Sequence, residues 1–387
     1  MTTIELFPCS GGMAEGFRRA GIVFDLAFDW DAEACASYEA NLGRRPVQLD
    51  VRDLVRMVRA GWSPGHTRLL VADPPCTPWS RAGKRQGLDD DRDTLAPTCD
   101  LVQLLAPDVF VIGNIPGLDD APNAAAVDAT IGALRRRWCV HLLRINAADY
   151  GVPQVRVRPF WIGHRAGPCP VLPPTTHADP EVLRERGPAL PGFERLLPWV
   201  TVREALAGLP PEQWGRPVRL RHEGARAAPR HPPNEIDAPA NTVGASDGGG
   251  SKRALRLRTP QSARAASADA PGRSVDARPA RAGTGDSGVL AWPWDRPATT
   301  LDSRDVLAPP GRNGRSEERG GEPQPQRAHP DAIALSEAAA AILQGFPTTW
   351  QFVGKTKASR WSQIGMAVPP AMAEAVGRAV AKMLART

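Results

Sequence analysis

Val71-Ala72-Asp73-Pro74-Pro75-Cys76-Thr77-Pro78-Trp79-Ser80 is the stretch on which the reading of this 387-residue chain turns. It continues the apolar pair Leu69 and Leu70, and two prolines then stop any strand ladder, because neither can donate a backbone hydrogen bond. Cys76 is therefore presented at the carboxyl end of a strand. Ligands bind at such ends in open α/β sheets, so a thiol held there by stiff prolines is placed to act as a nucleophile. A cysteine taken at random is more often a small core hydrophobe. The rest of the chain favours the nucleophile.

Upstream, residues 3–7 (Thr-Ile-Glu-Leu-Phe) read as a buried parallel strand, followed by the turn Pro8-Cys9-Ser10-Gly11-Gly12 and an amphipathic helix over 13–20. Gly11 and Gly12 would let backbone amides approach a ligand at the helix N-terminus. A second strand over 23–28 ends in Asp29-Trp30-Asp31, and a helix follows over 32–42. An acid at this strand end is where a ribose diol is held in Rossmann-like sites, and Trp30 beside it can stack on a purine. Asp31 reads as a helix N-cap. A third strand over 47–50 ends in Asp50, with a helix expected from Asp53. Glycines, Asp-Trp and Asp at three successive strand ends describe a nucleoside pocket with contacts for a charged tail, a ribose and an adenine amino group.

Beyond the opening stretch, residues 81–99 are charged and glycine-containing, and read as a loop too polar for a core. Helix over 101–105, strand over 108–112, the turn Gly113-Asn114-Ile115-Pro116-Gly117-Leu118, helix to about 138 and strand over 140–146 follow. A strand over 160–163 closes the sheet. Arg156 and Arg158, on alternate residues of an extended segment, share one face.

These motifs together resemble the DNA cytosine-5 methyltransferase family. The residues that carry the resemblance are ELFPCSGG with Phe7, Asp29, Asp50, the Pro-Pro-Cys segment with Ser80, Gly83, Arg92 and Leu95, and Asn146 to Gln154 with Arg156 and Arg158. Arg296-Pro297-Ala298-Thr299-Thr300, Gln344 to Pro347 and Gln363 to Pro370 extend it to the C-terminal region. The resemblance implies a Rossmann-like S-adenosylmethionine-dependent methyltransferase sheet of the α/β class, with a smaller, irregular target-recognition domain. It assigns residues 1–164 and 332–387 to the catalytic domain and 165–331 to target recognition. It implies S-adenosylmethionine as cofactor, held by Phe7, Ser10, Gly11, Gly12, Asp29, Trp30, Asp50, Val51, Pro74 and Met366, and double-stranded DNA with a flipped cytosine as substrate. Cys76 would attack the base, Arg158 would hold its O2, and Arg156 would support the loop over 81–99 as it closes on the flipped base. A restriction-modification system, with a cognate endonuclease as companion, is the expected setting.

Two residues depart from the family's pattern. Where the family has Glu-Asn-Val, with the glutamate bonded to cytosine N3 and N4, this chain has Gly113-Asn114-Ile115. Losing a charge-assisted contact to the transition state would cost roughly two to three orders of magnitude in rate, and Gly113→Glu is expected to restore it. Met366 stands where the family has asparagine. Four readings stand open: a methyltransferase, impaired or not; a catalytically silent DNA-binding paralogue; an enzyme with an altered transferred group or target base; and an RNA cytosine methyltransferase.

Composition is consistent with these readings without choosing among them. A hydrophobic fraction of 42% supports real cores, and a net charge of +6 suits a polyanionic partner or reflects a genome of high G+C content. The start of the chain reads as a strand rather than a signal peptide, no long apolar run is present, and a cytoplasmic protein is expected. Six cysteines lack C-x-x-C pairs or metal-type spacing with the seven histidines, so reduced thiols and no metal are expected. From 216 to 283 basic residues outnumber acids amid Gly, Ala, Pro and Ser, and 244–288 reads as either linker or recognition segment. A weak repeat, D-x-P-A-x-T, begins at Asp237 and again at Asp295. Residues 309–331 read as an exposed loop. Ser336 caps a helix to Leu343, and 370–384 is an amphipathic helix.

Overall fold

The computed structural model describes residues 1–75, 90, 92–115, 118, 121–186, 196–217, 240–241, 256–257 and 333–385. Strands β1 (Thr2–Leu6), β2 (Leu26–Asp29), β3 (Val47–Gln48), β4 (Thr67–Ala72) and β5 (Val109–Gly113) pair in parallel, in the order β3-β2-β1-β4-β5. Helices α1 (Gly12–Arg19), α2 (Ala32–Leu42), α3 (Val51–Arg59) and α4 (Leu95–Leu105) form the crossovers. After α5 (Ala121–Gly132) come β6 (Cys139–Asn146), the short β7 (Gln154–Val155) and β8 (Val157–His164).

The sheet is covered on both faces, which is why its strands read as continuous apolar runs. Ile4, Leu6, Leu70, Ala72, Phe110 and Ile112 point into a core with α3, α4 and α5. Leu69, Val71, Val109, Val111, Phe160 and Ile162 point to the other face, against α1 and the C-terminal helix. That helix belongs to the remaining set: α6 (Pro180–Arg186), α7 (Val202–Leu206), α8 (Pro211–Trp214), α9 (Glu337–Leu343), α10 (Lys357–Met366) and α11 (Pro370–Leu384). A third cluster gathers Val202 and Leu206 with Leu335, Leu343, Trp361 and Ile364.

Several boundaries differ from the sequence reading. The second strand starts at Leu26 rather than Val23, which is exposed, because Asp25 turns back to accept a hydrogen bond from the Thr3 amide. Helix α3 starts at Val51, with Asp50 as its cap through the Arg52 amide, and not at Asp53. The polar segment over 81–99 ends sooner than expected. Asp93 is buried and accepts hydrogen bonds from the amides of Leu95 and Ala96, so α4 begins there and buries Leu95, Thr98 and Cys99. Nor does the last long strand close the sheet. Gly151, at φ 81°, and the turn over 147–150 reverse the chain, so β8 enters antiparallel between β5 and β6 and leaves β6 at the edge.

Ala240–Asn241, inside the first copy of the repeat, pairs in parallel with Gln154–Val155. The second copy, at 295–300, lies outside the described residues, as do Cys76, residues 81–89, the loop over 309–331 and all of 244–288 except Arg256 and Leu257. The helices over 337–343 and 370–384 stand where the sequence places them, with Ser336 accepting from the Ala339 amide. Among the described residues no helix is long and apolar enough to cross a membrane.

Candidate active site

The carboxyl ends of β4 and β5 meet the amino end of β8 at one edge of the sheet. Ala72 is the register partner of Ile112, so Asp73 and Gly113 are the next cross-strand neighbours. Gly113 is paired on its other side with Phe160 of β8. Beyond Asp73, Asn114 ties the two strand ends together: its side-chain amide donates to the Pro74 carbonyl at 3.1 Å, and its backbone N–H donates to Pro159 at 3.1 Å. Pro74 is thereby fixed two residues before Cys76.

Arg158 lies over this edge. Its Nε and Nη2 donate to the two carboxylate oxygens of Asp73 at 3.2 and 2.5 Å, and only 6% of the arginine side chain is exposed. This fork-on-carboxylate pair is buried, where charges are costly unless paired, so the arginine is no surface salt bridge. Arg156 is also buried, and one guanidinium nitrogen donates to the Gly365 carbonyl at 3.2 Å. Gln154 and Gln344 interlock at 2.8 Å, and Gln344 donates to the Ala367 carbonyl at 2.7 Å. The segment around Gly365–Ala367 thus supports Arg156 directly and Gln154 through Gln344, while Met366 within it is 44% exposed.

The second part of the edge is formed by β1, β2 and β3. Asp29, buried, accepts the Cys9 amide on Oδ2 at 2.9 Å and the Asp31 amide on Oδ1 at 3.0 Å, and burial raises its carboxyl above the ordinary range. It holds the loop after β1 in an unusual path. Phe7 (φ 58°), Cys9 (φ 51°) and Gly11 (φ 93°) are all left-handed, and two of the three carry side chains that disfavour it. Strain of this kind clusters at ligand clamps. Ser10 is buried there with its hydroxyl lacking a hydrogen-bond partner. Trp30, directly after the buried acid, is 64% exposed, whereas Trp138, Trp161 and Trp361 are buried. Asp31 caps α2 as expected. Asp50 is used first as the α3 cap and toward Arg52 at 3.3 Å. Gly12 meets the Val368 backbone, with no room there for a methyl group, so it serves packing as well as any ligand. An exposed indole, a buried acid and an unpartnered hydroxyl around one strained loop fit a nucleoside-type cofactor.

Of the residues singled out from the sequence, Arg156, Arg158 and Asp29 stand at these strand ends and Cys76 lies outside the described residues, while Asp73 and Asn114 carry no sequence signal of their own. In the sequence Asp73 is only the residue before the prolines. Counting each residue from the end of its own strand would have set 73 beside 113. Chain spacing carries no metal-type pattern, yet Cys139, His141 and His164 converge at the opposite end of β6 and β8, with their ligand atoms within 4.8 Å of one another. Spacing along the chain could not show this, because an antiparallel pairing brings His164 opposite Cys139.

A parallel sheet with a strained glycine turn after its first strand, an acid at the end of its second and a Pro-Pro turn after its fourth defines a Rossmann-like α/β protein. A family model for C-5 cytosine-specific DNA methylases matches residues 1–190 and 294–382, and the chain belongs to that family. The Type II methyltransferase M.PspPI of Psychrobacter sp. is 28% identical over 98% of this chain and 79% of its own length. M.AquIA of Picosynechococcus sp. is 32% identical over 54% of this chain and 88% of its own, and M.AgeI of Thalassovita gelatinovora is 30% identical over 55% and 52%. The fold is similar to that of the Entamoeba histolytica methyltransferase EhMeth (TM-score 0.56, 11% identity, 99% of this chain and 97% of that one). It is also similar to that of S. pombe Dnmt2 methyltransferase (TM-score 0.55, 14% identity, 100% and 99%).

Proposed function

We propose that this chain methylates C5 of cytosine in double-stranded DNA, using S-adenosylmethionine and a transient covalent bond from Cys76. Cytosine C5 is a weak nucleophile. The Cys76 thiolate adds to C6, forming a C–S bond, while a proton taken up at N3 neutralises the electron pair displaced into the ring. C5 is then enamine-like and takes up the methyl group. When bound, S-adenosylmethionine supplies that group as an electrophile on a positive sulfur. A base removes the C5 proton, its electron pair re-forms the C5–C6 double bond, the C–S pair returns to Cys76, and N3 gives back the proton it took up.

The residues divide the work. Pro74 and Asn114 fix the approach of the thiol, and Arg158 binds the flipped base at O2, with Arg156 supporting the loop that closes over it. The loop Phe7 to Gly12, Asp29, Trp30, Asp50, Val51 and Met366 hold the cofactor. Residues 1–164 and 332–387 act as the catalytic domain and 165–331 as the target-recognition domain, in a restriction-modification setting. The observation that carries this reading is the buried assembly of Arg158, Asp73 and Asn114 at the strand end that leads into Pro-Pro-Cys.

The test is a duplex pool carrying 5-fluorocytosine, incubated with the protein and S-adenosylmethionine. Fluorine at C5 cannot leave as a proton, so an adduct resistant to denaturant should accumulate, and Cys76→Ala should abolish it while DNA binding persists. An adduct that survives in Cys76→Ala would sink the assignment.

A further inference from the structure

Position 113 is bare, but the space above it is not. A Cβ placed on Gly113 would lie 2.9 Å from Asp73 Oδ1 and 2.9 Å from the Phe160 ring. The Asp73 carboxylate therefore occupies the volume in which a side chain at 113 would begin. Arg158 reaches it from β8, across β5, which lies between β8 and β4 in the sheet. That bridge passes over Gly113, and a side chain there would cut it.

We propose that Asp73 is the carboxyl group that faces the target base in this protein, moved one strand over from the family's position at 113. The inference rests on the methyltransferase reading and changes what that reading says about rate: Gly113 is the complement of Asp73 rather than a defect. Neighbouring strands of a parallel sheet stand about 4.8 Å apart, and an aspartate on one reaches a spot that a longer glutamate reaches from the other. The chemistry required is that of the N3 and N4 edge of an aminopyrimidine, one acceptor beside one amino donor. Once N3 has taken up its proton, an ionised carboxylate accepts from both the N3–H and the N4 amino group. Arg158 holds the carboxyl in one orientation through a two-point contact, and each oxygen keeps a second lone-pair direction for the base.

Three variants test this, with methyl transfer to mixed-sequence DNA measured as kcat and KM separately. Asp73→Asn keeps shape and removes the acid. It should lower kcat by about 10²-fold or more, the scale of one preorganised transition-state contact, with DNA KM and cofactor binding little changed. Gly113→Glu alone should also lose activity, because its first carbon meets Asp73 and Phe160 and two carboxylates then share one site. The swap Asp73→Gly with Gly113→Glu should recover about tenfold or more over Asp73→Gly alone. An Asp73→Asn protein with wild-type kcat overturns the proposal, as does a gain from Gly113→Glu alone. A swap that is folded by thermal melting yet no faster than Asp73→Gly does the same. If the unmodified protein forms no adduct and transfers no methyl group, it is the methyltransferase reading that fails, and the role of Asp73 falls with it.

A second, independent observation lies at the far end of the sheet, where β8 ends beside the start of β5. Cys139 Sγ is 3.2 Å from His141 Nε2, which is 3.4 Å from His164 Nε2. His164 Nδ1 faces the Ala166 carbonyl at 3.2 Å. A proton on that nitrogen leaves Nε2 as a bare lone pair aimed into the cluster, the arrangement that orients metal-bound histidines. The geometry points to a site for one soft divalent cation of the zinc type, with one thiolate, two imidazoles and an open fourth position. Zinc chloride titrated calorimetrically into the full chain should bind at one equivalent and raise the melting temperature. Cobalt(II) should give a thiolate charge-transfer band. The double variant Cys139→Ser, His164→Ala should weaken binding by about 100-fold and lose the band. Equal zinc affinity in the double variant, or no binding by the wild type at micromolar zinc, overturns the site.

Discussion

Glu5 sits in the middle of β1, 1% exposed, with Tyr38 donating to one carboxyl oxygen at 3.2 Å and the other oxygen unpartnered. Burial is the main cause that pushes its carboxyl from 4.5 up to about 8, with Asp29 and Asp73 adding repulsion. The folded chain therefore keeps this proton where the unfolded chain has lost it. The stability it contributes is full below pH 4.5 and is lost as pH rises through about 8. Glu5→Gln removes the titration while keeping an acceptor for Tyr38. Its melting temperature should exceed that of the wild type at pH 8.5, and the gap should close by pH 5; a constant gap across that range would refute the assignment. In the sequence Glu5 is one polar letter in an apolar strand, and no pattern in one dimension shows that its side chain faces inward. Asp73 escaped notice for a related reason, since its meaning lies in its neighbour on another strand.

Elements were more legible than side chains. Capped or strongly amphipathic helices were placed closely: α2 behind Asp31, α9 behind Ser336 and α11 throughout. Boundaries moved where an acidic side chain caps a helix start by accepting from its first amides, as Asp93 does for α4 and Asp50 for α3. Hidden from the sequence was how close two helices remote in sequence would come. A Cβ on Gly16 of α1 would lie 2.4 Å from both the Ala373 methyl and the Pro370 carbonyl of α11. Backbone cannot yield as a side-chain tip does. Gly16→Ala should cost about 1–3 kcal/mol by overpacking, seen as a lower denaturant midpoint at unchanged slope. A midpoint equal to that of the wild type would mean that the two helices slide apart freely.

At the scale of the whole molecule, the succession of strands and helices along the chain was legible from the alternation of apolar runs and turns, but their order in the sheet, with β8 between β5 and β6, was not. Periodicity reports a strand's burial and is silent on its direction. The half of the edge at β1, β2 and β3, which we propose for the cofactor, was legible because each residue falls at the end of its own strand, whereas the half around Gly113 needed three strands in register. This division sets the last prediction. The loop after β1 is held by Asp29 of β2, and the Cys9 thiol lies 3.7 Å from the Gln363 carbonyl of α10, so a ligand seated there would brace both ends of the chain. S-adenosylmethionine without DNA should raise the melting temperature, because it binds the folded state alone. Trp30→Ala should reduce that shift with little change in the melting temperature of the free protein, since the indole is exposed. Asp29→Asn should reduce it as well and lower the free protein's own melting temperature, since the carboxylate holds two backbone amides. The shift should survive in Asp73→Asn, whose carboxyl lies across the edge at the base. No shift at millimolar S-adenosylmethionine would refute the nucleoside pocket, and a shift lost only in Asp73→Asn would place the cofactor where the base is expected.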